Sequence, residues 1–213
     1  MWTEDWLIKT TRYYQRLGFF KDYIAFTDEQ LTQKIIRLGI EKRYLNFGDE
    51  ESDININDKS FLEKNNQYIK ENLFNEEDYY IVDLDKKRVL SAATDILYAE
   101  EPPDYSFSEF VETLQRLIQI SRGMFIPENI IDRNGVSIQF TLNNTTHQLS
   151  PEGAPDDPLI LAGQINSIIE HTGYRFEQWD LRPDILLVVL KPEEKIKLEV
   201  ERDWNFLNDR WMF

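Results

Sequence analysis

The chain has 213 residues, 41% of them apolar, with 8 Gly, 8 Pro and no Cys, a length that supports one sizeable core or two small ones and argues against a disordered tail or a fibre. Its 39 acidic residues outnumber 24 basic ones, and the formal net charge of -15 disfavours nucleic acid and anionic lipid while favouring a basic partner. With no Cys there is no disulfide framework, Cys-ligated zinc or thiol nucleophile, which fits a reducing, cytoplasmic compartment.

The first elements are helical. Trp2, Trp6, Tyr13 and Leu17 recur near a period of 3.6 and predict one buried stripe that Gly18 closes. Thr27 with Gln30 three residues on caps a second helix, which carries Leu31, Ile35 and Leu38 inward until Gly39 ends it. Ser60 and Glu63 open a third through Leu62, Ile69 and Leu73.

At Tyr79 the pattern turns to strand. Tyr79-Tyr80-Ile81-Val82 is aromatic and β-branched, Asp83 to Lys87 is polar turn material, and Val89 and Leu90 follow, so a hairpin is expected. After Pro102-Pro103, Ser106 and Glu109 cap a helix with Phe107, Phe110, Val111, Leu114, Leu117 and Ile118 on one face. Gly123 stops that helix, and Pro127 to Gly135 reads as a short connection at a lobe boundary.

The remainder is patterned more strictly. Val136, Ile138, Phe140 and Leu142 alternate with polar residues, as a half-buried strand does, between Asn134-Gly135 and Asn143-Asn144 turns. Asp157-Pro158 starts a helix through Leu161, Ile165, Ile168 and Ile169 that Gly173 terminates. Tyr174 to Trp179 and Ile185 to Leu190 predict two strands, the second apolar on both faces and therefore central. Pro192, Glu193 and Glu194 begin the last helix. The expected class is α+β, an antiparallel sheet packed against helices, with a helical N-terminal part over residues 1–123 and a ββαββα part over 124–213, as two domains or one compact unit.

Catalytic and metal chemistry finds little foothold. Asp53, Asn55, Asn57 and Asp58 open like a calcium loop, but the sixth position is Asp58 instead of Gly and the twelfth is Lys64 instead of a carboxylate. His147 and His171 are the only histidines and cannot complete a zinc shell without Cys. No glycine-rich phosphate loop or G-x-S-x-G elbow is present, so no catalytic residue, metal or cofactor is assigned. The longest apolar run, Ile185 to Leu190, falls far short of the ~20 residues that span a bilayer. The N-terminus has Glu4 and Asp5 in place of a secretory signal's apolar core.

Charge is concentrated. Between Glu71 and Gln115 stand twelve acids against Lys86, Lys87 and Arg88. The candidate partner-binding residues are Glu76, Glu77, Asp78, Asp83, Asp85, Glu100, Glu101 and Asp104, with Tyr79, Tyr98 and Tyr105 as aromatic anchors. A solubilising face is the other reading of the same run.

Asp78-Tyr-Tyr-Ile-Val-Asp-Leu-Asp-Lys-Lys-Arg-Val-Leu90, an acidic loop, and Ser106-Phe-Ser-Glu-Phe-Val-Glu-Thr-Leu114 together resemble the C-terminal part of the SUKH superfamily, many of whose members are immunity proteins that neutralise bacterial toxins without catalysis. The resemblance covers residues 74–118. It implies that Tyr80, Val82 and Val89 occupy sheet positions and that Phe107, Phe110 and Leu114 pack on that sheet. A glycine pair that members carry after their early helices is absent, and Val136 to Trp204 lies outside the family pattern. The resulting expectation is a cytoplasmic, non-enzymatic interaction protein whose acidic face occludes a basic partner, a toxin in the immunity reading. A hydrolase or transferase using carboxylates with His147 or His171 and a regulatory scaffold are the alternatives.

Overall fold

The computed structural model describes residues 2–42, 59–74, 77–93, 107–133, 137–150, 158–181 and 184–207. They form an α+β fold with two three-stranded antiparallel sheets, in a chain that divides into compact units at Met1–Asp85 and Lys86–Phe213. Leu114, Leu117 and Ile120, before residue 123, share one core with Ile138, Phe140 and Leu142 after it.

The N-terminal unit opens with α1 (Glu4–Arg16), whose N-cap Thr3 accepts the Trp6 N–H. Its buried stripe is Leu7, Thr10, Thr11 and Tyr14, with Tyr13 alongside, while Trp6 is half-buried. Of the residues expected in the stripe, Trp2, Tyr13 and Leu17 are buried, and the helix buries two threonines beside them that apolar patterning does not mark. Thr11 is accommodated by donating its hydroxyl to the Leu7 carbonyl at 2.8 Å. Trp2 precedes the helix, donates its indole N–H to the Ile69 carbonyl at 3.1 Å and meets Phe74 edge-to-face.

Helix α2 (Asp28–Glu41) carries the Thr27–Gln30 capping box and is tied to α1 by Arg12, which donates to Asp28 and to the Phe26 carbonyl. Gly39 lies inside the last turn and does not end the helix. A Cβ there would sit 3.0 Å from Leu73 Cδ1 and 3.1 Å from Phe74 Cε1, so glycine suits a tight contact here and does not serve to terminate the helix. The third expected helix is two, α3 (Lys59–Lys64) and α4 (Asn66–Asn72), separated at Asn65, a residue type that favours local main-chain turns.

Tyr79 to Val82 is helix and not strand: α5 (Asp78–Val82) is a short turn of helix, and the expected hairpin with Val89 does not form. Ile81 and Val82 are both fully buried. Adjacent helix positions can both turn toward α1 and α2, whereas a strand covered on only one face would send one of them outward. Tertiary burial thus overrides the β-propensity of the segment.

In the C-terminal unit β1 (Val89–Ala93), β5 (Arg175–Asp180) and β6 (Asp184–Leu190) form a sheet in the order β1-β6-β5. Val89, taken as the return arm of a local hairpin, pairs instead with Val188. The second sheet is β2 (Glu128–Asp132), β3 (Ile138–Leu142) and β4 (Thr145–Leu149) in that order. Ile138, Phe140 and Leu142 are buried in strict alternation, while Val136 lies outside the described residues. Asn143 and Asn144 both have positive φ, as the tight β3–β4 turn demands. Strand β2 falls where a connection was expected, extending the ββαββα order by one strand at its start.

Helices α6 (Phe107–Ile120) and α7 (Pro158–Ile169) pack Phe110, Leu114, Leu117, Leu161, Ile165 and Ile169 against both sheets. Asn166 joins α7 to β5, accepting the Phe176 N–H at 2.7 Å and donating to its carbonyl at 3.0 Å. Helix α8 (Pro192–Arg202) begins at Pro192, and Glu194 accepts the Lys191 N–H at 2.9 Å. After α8 the chain returns along β5. Asp180 N–H donates to the Asn205 carbonyl, Leu207 N–H to the Gln178 carbonyl, and Trp204 stacks on Trp179 with centroids 3.6 Å apart.

Two stability predictions follow from these contacts. Gly39→Ala gains helix propensity of about 1 kcal/mol but overpacks Leu73 and Phe74 at a cost of about 1–3 kcal/mol, so urea titration should find a net loss. Trp204→Ala removes a buried indole and its stack and should cost about 3 kcal/mol, lowering the urea midpoint of the C-terminal unit.

Candidate functional site

The acidic residues singled out by sequence separate into structural and surface groups. Asp78, at the start of α5, accepts the Tyr14 hydroxyl at 2.5 Å. Asp83 is buried and paired with Lys42, whose ammonium also donates to the Asp83 carbonyl at 3.0 Å. Asp85 is buried and accepts the Phe20 N–H at 2.5 Å, holding that residue at a φ of 51°. These three carboxylates fasten helices and a turn within the N-terminal unit. Asp83 and Asp85 therefore do not belong to an exposed acidic face.

Glu77 is exposed, and Tyr79 is half-buried with its ring 5.2 Å from that of Tyr80. Glu76, Tyr98, Glu100, Glu101, Asp104 and Tyr105 lie outside the described residues. So does the calcium-like run from Asp53 to Asp58, although its twelfth position, Lys64, closes α3. Among the described candidates, Glu77 alone is an exposed acid.

The catalytic alternatives gain nothing from geometry. His147 stacks on Phe140, its cross-strand neighbour, with centroids 5.7 Å apart, and His171 is exposed in a 3-10 turn after α7. Among the described residues no group of three or more His, Asp or Glu could hold a metal ion. No helix among them is long and apolar enough to cross a membrane.

The most distinctive surface is one that sequence reasoning missed. All five residues of β2 are exposed, with Ile130 44% and Ile131 46% accessible, and Ile126 just before the strand is 59% accessible. Ile130 and Ile131 are adjacent, so their side chains leave opposite faces of the strand, and neither face is covered. Exposed carboxylates, Glu128 and Asp132, occupy the two ends. The ladder to β3 is irregular between Glu128 and Ile131, where Asn129 takes a φ of 52°, a bulge of the kind that re-aims an edge strand. The signal in the sequence was the β-branched pair Ile130-Ile131, obscured by Pro127 and Asn134-Gly135 on either side. Ile196 and Val200 form a second exposed apolar pair on α8, but α8 offers no strand edge.

Lys42→Ala should remove the ammonium paired with the buried Asp83 carboxylate and destabilise the N-terminal unit by about 3 kcal/mol, whereas Glu77→Lys should change its stability by less than about 1 kcal/mol. Denaturant titration of the two variants measures both. No protein-family model, no curated protein and no solved structure matches this chain.

Proposed function

We propose that the chain is a non-catalytic, acidic interaction protein of the immunity type, which binds a basic partner and silences it by covering its surface. The observation that carries this reading is the exposed apolar set Ile126, Ile130 and Ile131, with the exposed carboxylates Glu128 and Asp132 beside it, in a chain of net charge -15. Apolar side chains at the centre of a contact supply affinity once water is expelled, and a charged rim sets partner choice and encounter rate. Glu76, Glu77, Glu100, Glu101 and Asp104 add to the long-range field that draws a basic protein in. The SUKH-like segment makes a toxin the natural partner, although the strand that the resemblance implies at Tyr80 and Val82 is the helix α5. The cysteine-free composition fits the cytoplasm as the place of action.

The test compares the wild-type chain with a variant in which Glu76, Glu77, Glu100 and Glu101 are changed to Lys, each used as bait in a host lysate. A basic protein retained by the wild type should be lost from the variant. Its on-rate for the wild type should fall with salt, as screening shortens to a Debye length of ~10 Å at 0.1 M. Recovery of the same proteins by both baits at every salt concentration overturns the proposal.

A further inference from the structure

Helix α8 is held to the C-terminal unit by one side of its surface. Leu198 is its buried residue, Lys195 pairs with Glu177 at 2.7 Å, and Glu194 pairs with Arg122 at 2.5 Å. At about 100° per residue, Ile196 and Val200 each stand about 160° round the helix from Leu198, so they project away from the side that packs. Their accessibilities of 58% and 79% agree, and Val200 is the most exposed large apolar residue among the described residues. Pro192, also exposed, continues the same i, i+4 row toward the helix start. The three make a ridge about 12 Å long on the pole of a surface helix, where side chains are ordinarily polar.

Carboxylates frame this ridge. Glu193 and Glu199 stand three residues before and after Ile196, and Asp203 stands at the C-cap three residues after Val200; all three are exposed, and residues three apart are neighbours on a helix surface. Glu193 comes no nearer to Lys191 than 3.9 Å. Lys197 lies half-buried on one flank, so three carboxylates stand against one ammonium around the ridge.

We propose that this face of α8 docks an amphipathic helix of the basic partner, which lays its apolar row beside Pro192, Ile196 and Val200 and sets Lys or Arg over Glu193, Glu199 and Asp203. The proposal rests on the interaction reading above and names an element that takes the partner. A ridge at i, i+4 spacing packs into the matching groove of a second helix, and helix-in-groove recognition uses anchors at that spacing. The rim chooses the sign of the partner. Face-to-face pairing of two copies of this chain would bring the same carboxylates together, and each copy carries a formal charge of -15, so a basic helix is favoured over a second copy.

The probe is a fluorescein-labelled, end-capped peptide of Leu, Ala and Lys, about 18 residues long so that it can form a helix unaided, with Leu at every third or fourth position and Lys on both flanks. Fluorescence anisotropy against the full chain should show saturable binding. A peptide of the same composition with Leu spread round the helix should bind at least tenfold more weakly, which separates docking from charge attraction alone. Ile196→Gln with Val200→Gln should also weaken binding at least tenfold. Gln is a better helix former than Ile or Val, so this variant should fold as the wild type does, checked by its urea midpoint. Glu199→Lys with Asp203→Asn should weaken binding at least threefold and flatten its salt dependence. Both changes suit the negative end of the helix, and Asn tolerates the φ of 54° that Asp203 adopts. No saturable binding, equal binding of the two peptides, undiminished binding by either variant, or a wild-type dimer in sedimentation that the Gln variant loses overturns the proposal.

The lysate comparison separates this mode from the broader reading. If the folded Gln variant retains the basic partner as well as the wild type does, docking on α8 fails and the interaction reading stands. If the wild type retains no basic protein, the interaction reading itself fails.

Discussion

Strand β6 is the element on which the C-terminal unit depends. It lies between β1 and β5, so its main-chain groups find partners on both edges, and Ile185 through Leu190 are all buried. Leu187 and Val189 enter the core shared by α6, α7 and the second sheet. Leu186 and Val188 lie on the opposite face beside their cross-strand neighbours Trp179 and Glu177, where Trp204 stacks on Trp179 and Lys195 of α8 pairs with Glu177 at 2.7 Å. Burying six aliphatic side chains at about 1.5–3 kcal/mol each matches the whole net stability of a typical domain, about 5–15 kcal/mol.

Polar side chains then fix how the layers meet that strand. Asn166 saturates both main-chain groups of Phe176 and so sets α7 against β5. Arg122, held at a φ of 60° just beyond α6, pairs with Glu194 at 2.5 Å and lies over the Tyr174 ring, which Lys191 also approaches. In the N-terminal unit Tyr14–Asp78, Lys42–Asp83 and Phe20–Asp85 act in the same way. A carboxylate that leaves water must receive hydrogen bonds or a counter-charge, so the aspartates closest to the core are absorbed by structure. An acidic run in a sequence is therefore not a map of an acidic surface.

The edges of the two sheets differ. The chain's own residues 205–207 bond along the outer edge of β5, whereas all five residues of β2 are exposed and its ladder to β3 is broken by a bulge between Glu128 and Ile131.

Local chemistry was sufficient for several elements: the Thr27–Gln30 capping box, the alternation of Ile138 to Leu142, the Asn143-Asn144 turn, the Pro192 start of α8 and the central position of β6. In each, a side chain acts within four residues of itself or a repeat period matches one geometry, so neighbouring residues carry the information. Partners distant in sequence decided the rest. Tyr79 to Val82 became helix because two adjacent apolar residues are buried together against α1 and α2, and Val89 chose Val188 over a local hairpin because the wholly apolar β6 needed a partner on its open edge. Asp83 and Asp85 left the candidate surface for the same reason, since Lys42 and Phe20 approach them only when the unit folds. The sequence by itself determined the α+β class and the periodic elements, through short-range sterics and hydrophobic patterning. Only tertiary structure decided which charges are buried and which apolar side chains stay exposed, because burial is a property of how distant segments pack and not of their composition.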